Sequence, residues 1–369
     1  MREGSERGCA QPPRGPAGRR PVAVAALLVL LVAALGACSG GPDAGPATST
    51  TAGRGPTSTP APSTATTAPT RSTPDGSASG RVTTVDAELR TPDGRERSYR
   101  VVAPDAGGDG AAGVARPLLL AFHGGLGSGR QFERASGFDA LARRGEAVVV
   151  YPDGVAGPRG RGRTWNAGAC CGYAAAAGVD DVGFVRRLVA AVASSHRIDP
   201  DRVYATGHSN GAILSYRLAC ELSDVVVAVG VQAGTLEVPA CHPARPVSVL
   251  HIHGRDDRNL PLAGGVGPDS ISGVDFRPPL EAAAVVAAAM GCPARPDEHR
   301  DTSNPAVDVT TWAPCRDGTE VRFLTVAGAG HPWMGGPEGS AANRPGAAVR
   351  APVDSSALIR AFLEAHARA

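Results

Sequence analysis

Val203-Tyr204-Ala205-Thr206-Gly207-His208-Ser209-Asn210-Gly211-Ala212-Ile213-Leu214 is the stretch on which the reading of this chain turns. A short run rich in apolar and β-branched residues reads as a strand, Val203–Thr206, and Asn210–Leu222 reads as a helix. Between them stands Gly207-His208-Ser209-Asn210-Gly211, the pattern G-x-S-x-G in a strand, tight turn and helix context. Such a turn is sharp, and glycines let the strand and helix approach each other. Ser209 is then held clear of the sheet at the positive end of a helix. The plainer reading is a glycine-rich turn with a capping serine. A pattern this short also arises by chance in a chain with 48 Gly in 369 residues. The flanking strand and helix favour the nucleophile.

Working outward, apolar segments alternate in type. Strands are expected at Ser98–Val102, Leu118–Phe122, Ala147–Tyr151, Val226–Val231, Val247–His253 and Val321–Val326. Helices are expected at Arg130–Arg143, Asp181–Ser195, Leu280–Met290 and Ser355–His366. This alternation predicts an α/β fold, a mostly parallel sheet with helices on both faces. Ligands of such sheets bind at the carboxyl ends of the strands, so the loops there are searched first.

A serine hydroxyl needs a base, normally a histidine oriented by a carboxylate. In the chain order Ser, acid, His, the base lies after Ser209. His331 follows the strand Val321–Val326 in the glycine-rich run Ala327-Gly328-Ala329-Gly330-His331 and is the first candidate, with His299 second. The acid belongs after Val247–His253, where Gly254-Arg255-Asp256-Asp257 offers two adjacent aspartates. The spacing H-G-x-x-D selects Asp257, which leaves Asp256 as a solvated neighbour. Backbone N–H groups must meet the developing oxyanion. One comes from Asn210, the other from His123-Gly124-Gly125-Leu126-Gly127, with Gly125 assigned and Leu126 the near alternative. His251 and His253 share a strand face, but a metal site needs further ligands and none stands near in sequence, so a packing role is favoured. Asp180-Asp181 opens a helix and reads as structural.

These residues, together with Trp165-Asn166-Ala167-Gly168-Ala169-Cys170-Cys171-Gly172, Val179-Asp180-Asp181-Val182-Gly183-Phe184 and Gly330-His331-Pro332-Trp333, resemble one family. It is the bacterial secreted poly(3-hydroxybutyrate) depolymerase and feruloyl esterase-like group of α/β-hydrolases, including actinobacterial lipoproteins. The likeness covers nearly all of residues 80–369. It implies the α/β-hydrolase fold, a Ser-His-Asp esterase with Ser209, His331 and Asp257, and neither metal nor cofactor. The substrates implied are 3-hydroxyalkanoate esters, or alternatively feruloyl or acetyl esters of plant polysaccharide. A reading of another class is an inactive surface binding lipoprotein on the same scaffold. The chain departs from the family at His331-Pro332-Trp333-Met334-Gly335, usually His-Thr-Trp-Pro-Gly, at Arg255, often Thr, and at Leu262, commonly Tyr. These positions are expected beside the pocket and bear on substrate preference. Trp165 and Trp333 are candidate pocket walls, with buried packing the competing role. Six cysteines follow the N-terminal region, an even number that suggests disulfides outside the cell. Proximity and the family likeness favour Cys220–Cys241 and Cys292–Cys315, which leaves Cys170 and Cys171 as a vicinal bridge or two thiols.

The N-terminal region reads as targeting rather than fold. Arginines precede an apolar run, Val22–Ala37, that is short for a membrane span. It ends in Leu35-Gly36-Ala37-Cys38, which resembles the lipobox of bacterial lipoproteins. Residues 1–37 are therefore expected to be a signal peptide and Cys38 the lipid attachment point, giving an extracellular, membrane-anchored protein. An ordinary signal peptide, and a twin-arginine signal through Arg19-Arg20, are the alternatives. Residues 38–80 are Pro, Ser, Thr, Gly and Ala with little to bury, and read as a disordered tether. The catalytic domain is then 81–369. All 37 basic residues are Arg and the net charge is +2, so the balance makes no case for nucleic acid.

Overall fold

The computed structural model describes residues 80–105, 113–158, 160, 162–335 and 352–368. The expected signal peptide, Cys38 and the tether up to residue 79 lie outside them. The chain divides into residues 1–72 and 73–369, and the second unit is the one described below. No described helix is long and apolar enough to cross a membrane.

A ten-stranded sheet runs in the order β1-β2-β4-β3-β5-β6-β7-β10-β9-β8. Its parallel centre comprises β3 (Arg116–Phe122), β4 (Val148–Pro152), β5 (Ile198–His208), β6 (Ala228–Gln232), β7 (Ser248–Gly254) and β10 (Val321–Val326). Antiparallel strands flank it: β1 (Val82–Arg90) and β2 (Glu96–Pro104) on one side, β8 (Asp297–Arg300) and β9 (Val307–Trp312) on the other. This is the mostly parallel sheet of an α/β-hydrolase.

The two faces follow from the pleat, since successive side chains point to opposite sides. In β3, Leu118, Leu120 and Phe122 pack into one core with Phe184, Leu188 and Tyr216. Leu119 and Ala121 pack into the other, with Phe132, Leu141 and Phe362. Accordingly α4 (Asp181–Ser195), α5 (Asn210–Glu221) and α6 (Pro279–Ala289) supply the first core. The second receives α1 (Gly129–Ser136), α2 (Asp139–Arg143) and α7 (Ser355–Glu364).

One expectation is corrected. The helix expected over Arg130–Arg143 is two helices, because Gly137 takes the left-handed conformation, φ 65°, and caps α1 with its amide on the Glu133 carbonyl. The outer antiparallel strands β1, β8 and β9 and the short α3 (Gly172–Ala176) carry too little apolar pattern to be read beforehand. Asp181, read as structural, is fully buried in the first turn of α4 and paired with Arg97 at 2.7 Å. Asp180 makes the cap, accepting from the Gly183 amide at 2.8 Å.

Candidate active site

The carboxyl ends of β3, β5, β7 and β10 bring four loops together. Ser209 stands at the turn from β5 into α5 with φ 54° and ψ −121°. A non-glycine residue here carries about 1–3 kcal/mol of strain. The surroundings impose that backbone: the Ser209 amide donates to the Gln232 carbonyl at 3.0 Å, and the Ser209 carbonyl accepts from Ile213 at 3.0 Å. Both flanking glycines are required. A Cβ at Gly211 would press on the Phe122 and His123 carbonyls, and one at Gly207 on the backbone of Gly211.

His331 Nε2 lies 3.0 Å from Ser209 Oγ, and His331 Nδ1 lies 2.7 Å from Asp257 Oδ2. The other Asp257 oxygen accepts from the Asn259 and Leu260 amides, each at 2.9 Å. Burial pushes the Asp257 carboxyl up, but the hydrogen bond and charge of His331, with His253 and the Leu260 amide, outweigh it and hold the group below the usual carboxylate range. The structure thus joins Ser209, His331 and Asp257 in one hydrogen-bonded chain. Asp256 is exposed, and His299 sits exposed on the edge strand β8 beside Asp297.

The loop after β3 closes on the nucleophile. A Cβ on Gly124 would stand 3.5 Å from that of Ser209, and one on Gly125 would stand 3.7 Å from that of Asn210. The Leu126 amide donates to the Arg163 carbonyl at 2.8 Å and the Gly127 amide to Gly124 at 3.0 Å. Among the described residues the Gly125 and Asn210 amides have no such acceptor, so they remain available to a ligand. His123 shapes this loop: Nδ1–H donates to the Gly124 carbonyl at 2.7 Å, and Nε2 accepts from the Gly154 amide at 2.9 Å. Burial lowers His123 to about 4, which keeps it neutral for both bonds.

Sequence reasoning missed several supports. The Asn210 side chain accepts from the Trp165 amide at 2.7 Å and donates to the Trp165 carbonyl at 3.0 Å, locking the start of α5 to the neighbouring loop. Gln232 donates to the Pro332 carbonyl at 2.8 Å and accepts from the Met334 amide at 2.9 Å and the Ser355 hydroxyl at 2.8 Å. His208 donates to the His331 carbonyl at 2.7 Å. Its place beside the nucleophile was the only sequence signal for it.

Of the two candidate wall residues, Trp165 takes the competing packing role, whereas Trp333 is mostly buried yet borders a recess beside His331. Trp165 is fully buried and its indole N–H donates to the His123 carbonyl at 2.9 Å. Trp333 is 3% exposed, packs edge-on against Phe132 and Phe138, and donates to Ser356 at 3.1 Å. The cavity at Ser209 measures about 330 Å³ and is walled instead by Leu126, Cys171, Ile213, Leu260, Ile271 and Phe276. A second recess, about 400 Å³, lies across Gly125 and His331 and includes Trp333 in its lining. Arg255 is no pocket residue either; it is exposed and pairs with Asp308. Disulfides join Cys220 to Cys241, Cys292 to Cys315, and Cys170 to Cys171, the last at the cavity wall. Among the described residues no group of three or more His, Cys, Asp or Glu is arranged to hold a metal.

Residues 98–288 match the family described as Esterase PHB depolymerase. Feruloyl esterase B of Piromyces equi is 31% identical over 224 residues, 59% of this chain and 40% of that protein. NocK of Nocardia uniformis subsp. tsuyamanensis, which carries a provisional esterase name, is 32% identical over 256 residues, 66% of this chain and 72% of that protein. The match therefore spans well under two thirds of the first relative. Among solved structures, an acetyl xylan esterase from Aspergillus awamori aligns with 68% of this chain and 94% of its own at a TM-score of 0.50. At 16% identity that likeness speaks to the fold alone. The family match covers just over half of the chain and holds the G-x-S-x-G turn and Asp257, and so this chain belongs to the PHB depolymerase family of esterases on the α/β-hydrolase fold.

Proposed function

We propose that the protein is a serine carboxylic ester hydrolase. Ser209 Oγ attacks the ester carbonyl while His331 Nε2 takes its proton. Asp257 fixes the His331 tautomer and stabilises the imidazolium. The amides of Gly125 and Asn210 hold the oxyanion. His331 then gives the proton to the leaving alcohol, and water releases the acyl group by the same route. The observation that carries this reading is the unbroken chain Ser209–His331–Asp257 at the mouth of an apolar cavity, beside two unengaged amides.

The cavity wall is mostly apolar, with Thr164, Asn259, Ser270 and Ser272 among its polar members and no Asp, Glu or Arg. It suits an uncharged acyl group. We assign the substrate to 3-hydroxyalkanoate esters, in keeping with the family description. The relative named Feruloyl esterase B favours a second reading, hydroxycinnamate esters of polysaccharide. Attachment at the outer membrane face through a lipid on Cys38 belongs to the same proposal and rests on Leu35-Gly36-Ala37-Cys38.

A fluorophosphonate probe should label the wild type and not Ser209→Ala. Esterase turnover of that variant should fall by at least about 10³-fold, with its melting temperature unchanged. A folded wild-type protein that takes no label would point to a binding protein on a silent scaffold. Comparison of kcat/KM on 3-hydroxybutyrate oligomers and on methyl ferulate decides between the two substrates.

A further inference from the structure

The proposed mechanism leaves two fully buried histidines of β7 unused. Tyr216 Oη lies 2.7 Å from His251 Nδ1, and His251 Nε2 lies 2.9 Å from His253 Nδ1. His253 Nε2 then lies 2.9 Å from the Leu260 carbonyl oxygen. The last link sets the direction of all the others. A carbonyl only accepts, so His253 Nε2 carries the proton and its Nδ1 accepts. His251 must then donate from Nε2, and its Nδ1 accepts from the Tyr216 hydroxyl. Burial keeps both rings neutral: it lowers His253 to about 4 and His251 well below the usual value.

The chain ends at the acid. His253 Nε2 is also 3.5 Å from Asp257 Oδ2, the oxygen that receives His331 Nδ1–H. Leu260 is held at both of its backbone polar groups, its N–H donating to Asp257 and its carbonyl accepting from His253. Were His253 to carry its proton on Nδ1, a bare Nε2 lone pair would face the Leu260 carbonyl and the Asp257 carboxylate together. The titratable groups facing this pair are few. Tyr216 comes from α5, Asp257 and His331 come from the loops after β7 and β10, and β10 brings the Phe323 ring and Thr325, neither titratable, beside the pair.

We propose that His253 is a positioning residue for Asp257, and that Tyr216 and His251 serve it by fixing its proton on Nε2. This rests on the reading of Ser209, His331 and Asp257 given above. Without the His253 N–H the carboxylate is less firmly aimed at His331, which lowers kcat; it is also a stronger base, so the resting imidazolium is favoured and the acid limb of the pH–rate profile moves upward.

Three measurements on the whole chain test this. Imidazole ¹⁵N NMR of the wild type at pH 7 should show His251 and His253 both protonated on Nε2. Tyr216→Phe, which touches neither Ser209 nor Asp257, should lower kcat about tenfold at unchanged KM and raise the acid limb. His253→Phe should do so more strongly, and His253→Gln, which keeps a donor, should recover most of the loss. A proton on His253 Nδ1 overturns the proposal, as does an unmoved kcat and acid limb in both folded phenylalanine variants. Fluorophosphonate labelling of the wild type separates the two layers. If Ser209 labels, such failures strike His253 alone; if it does not, the reading beneath has failed as well.

Discussion

Asp256 and Asp257 are chemically identical neighbours with opposite environments. The first is exposed, while the second is buried with every oxygen engaged. The turn after β7, closed by the Asp257 amide on the Gly254 carbonyl at 3.2 Å, leaves Arg255 and Asp256 in solvent and brings Asp257 to His331. Removing the charge of Asp257 while keeping its shape should leave His331 free to take the wrong tautomer. Asp257→Asn is expected to lower kcat by about 10⁴ with KM nearly unchanged, read by steady-state kinetics. Trp165 shows where residue-level reading stops. Its position beside a catalytic loop was visible, but its direction was not, and the ring points into the core beneath His123 rather than toward the cavity. Gln232 left no signal at all, because a buried amide joining three distant segments has no local pattern.

Elements were legible in proportion to what they bury. β10 and α4 have the ends that hydrophobic patterning predicted, since both press apolar residues on the core. β8 is exposed along its whole length, and only its pairing with β9 makes it a strand. This edge is held by the Cys292–Cys315 bridge, which ties the end of α6 to the end of β9. The bridge closes a sequence separation of 23 residues. In the chain-entropy account such a loop is worth about 3 kcal/mol. Replacing both cysteines by serine should lower unfolding stability by about that amount in urea titration. It should leave kcat/KM unaltered, because neither cysteine touches the cavity.

At the scale of the molecule, buried imidazoles set the response to acid. Burial lowers His123, His208 and His253 to about 4, and holds His251 well below its ordinary value. Unfolded, each takes a proton near its ordinary value of about 6.5. Between about pH 6.5 and 4 the unfolded chain therefore binds more protons than the folded one, so stability rises with pH across that window and is lost on acidification. One pKa unit corresponds to about 1.4 kcal/mol, so full acidification across this window opposes the folded state by an amount comparable to the typical total of about 5–15 kcal/mol. Asp257 acts in the same direction lower down: its contribution is whole above the ordinary carboxylate range and fades as pH falls through its depressed folded value. The melting temperature should be level from pH 7 to 9 and drop steeply from 6.5 to 4 by calorimetry. A level curve down to pH 4.5 would mean that the folded state accepts protons on these rings.

The Gln232 amide fastens Pro332 and Met334 on one side and Ser355 on the other, and the Ser355 amide in turn donates to the Met334 carbonyl at 2.9 Å. One side chain thereby binds the segment that follows His331 to the first turn of α7, so the base of the reaction is braced by a helix of the second core and not by its own loop alone.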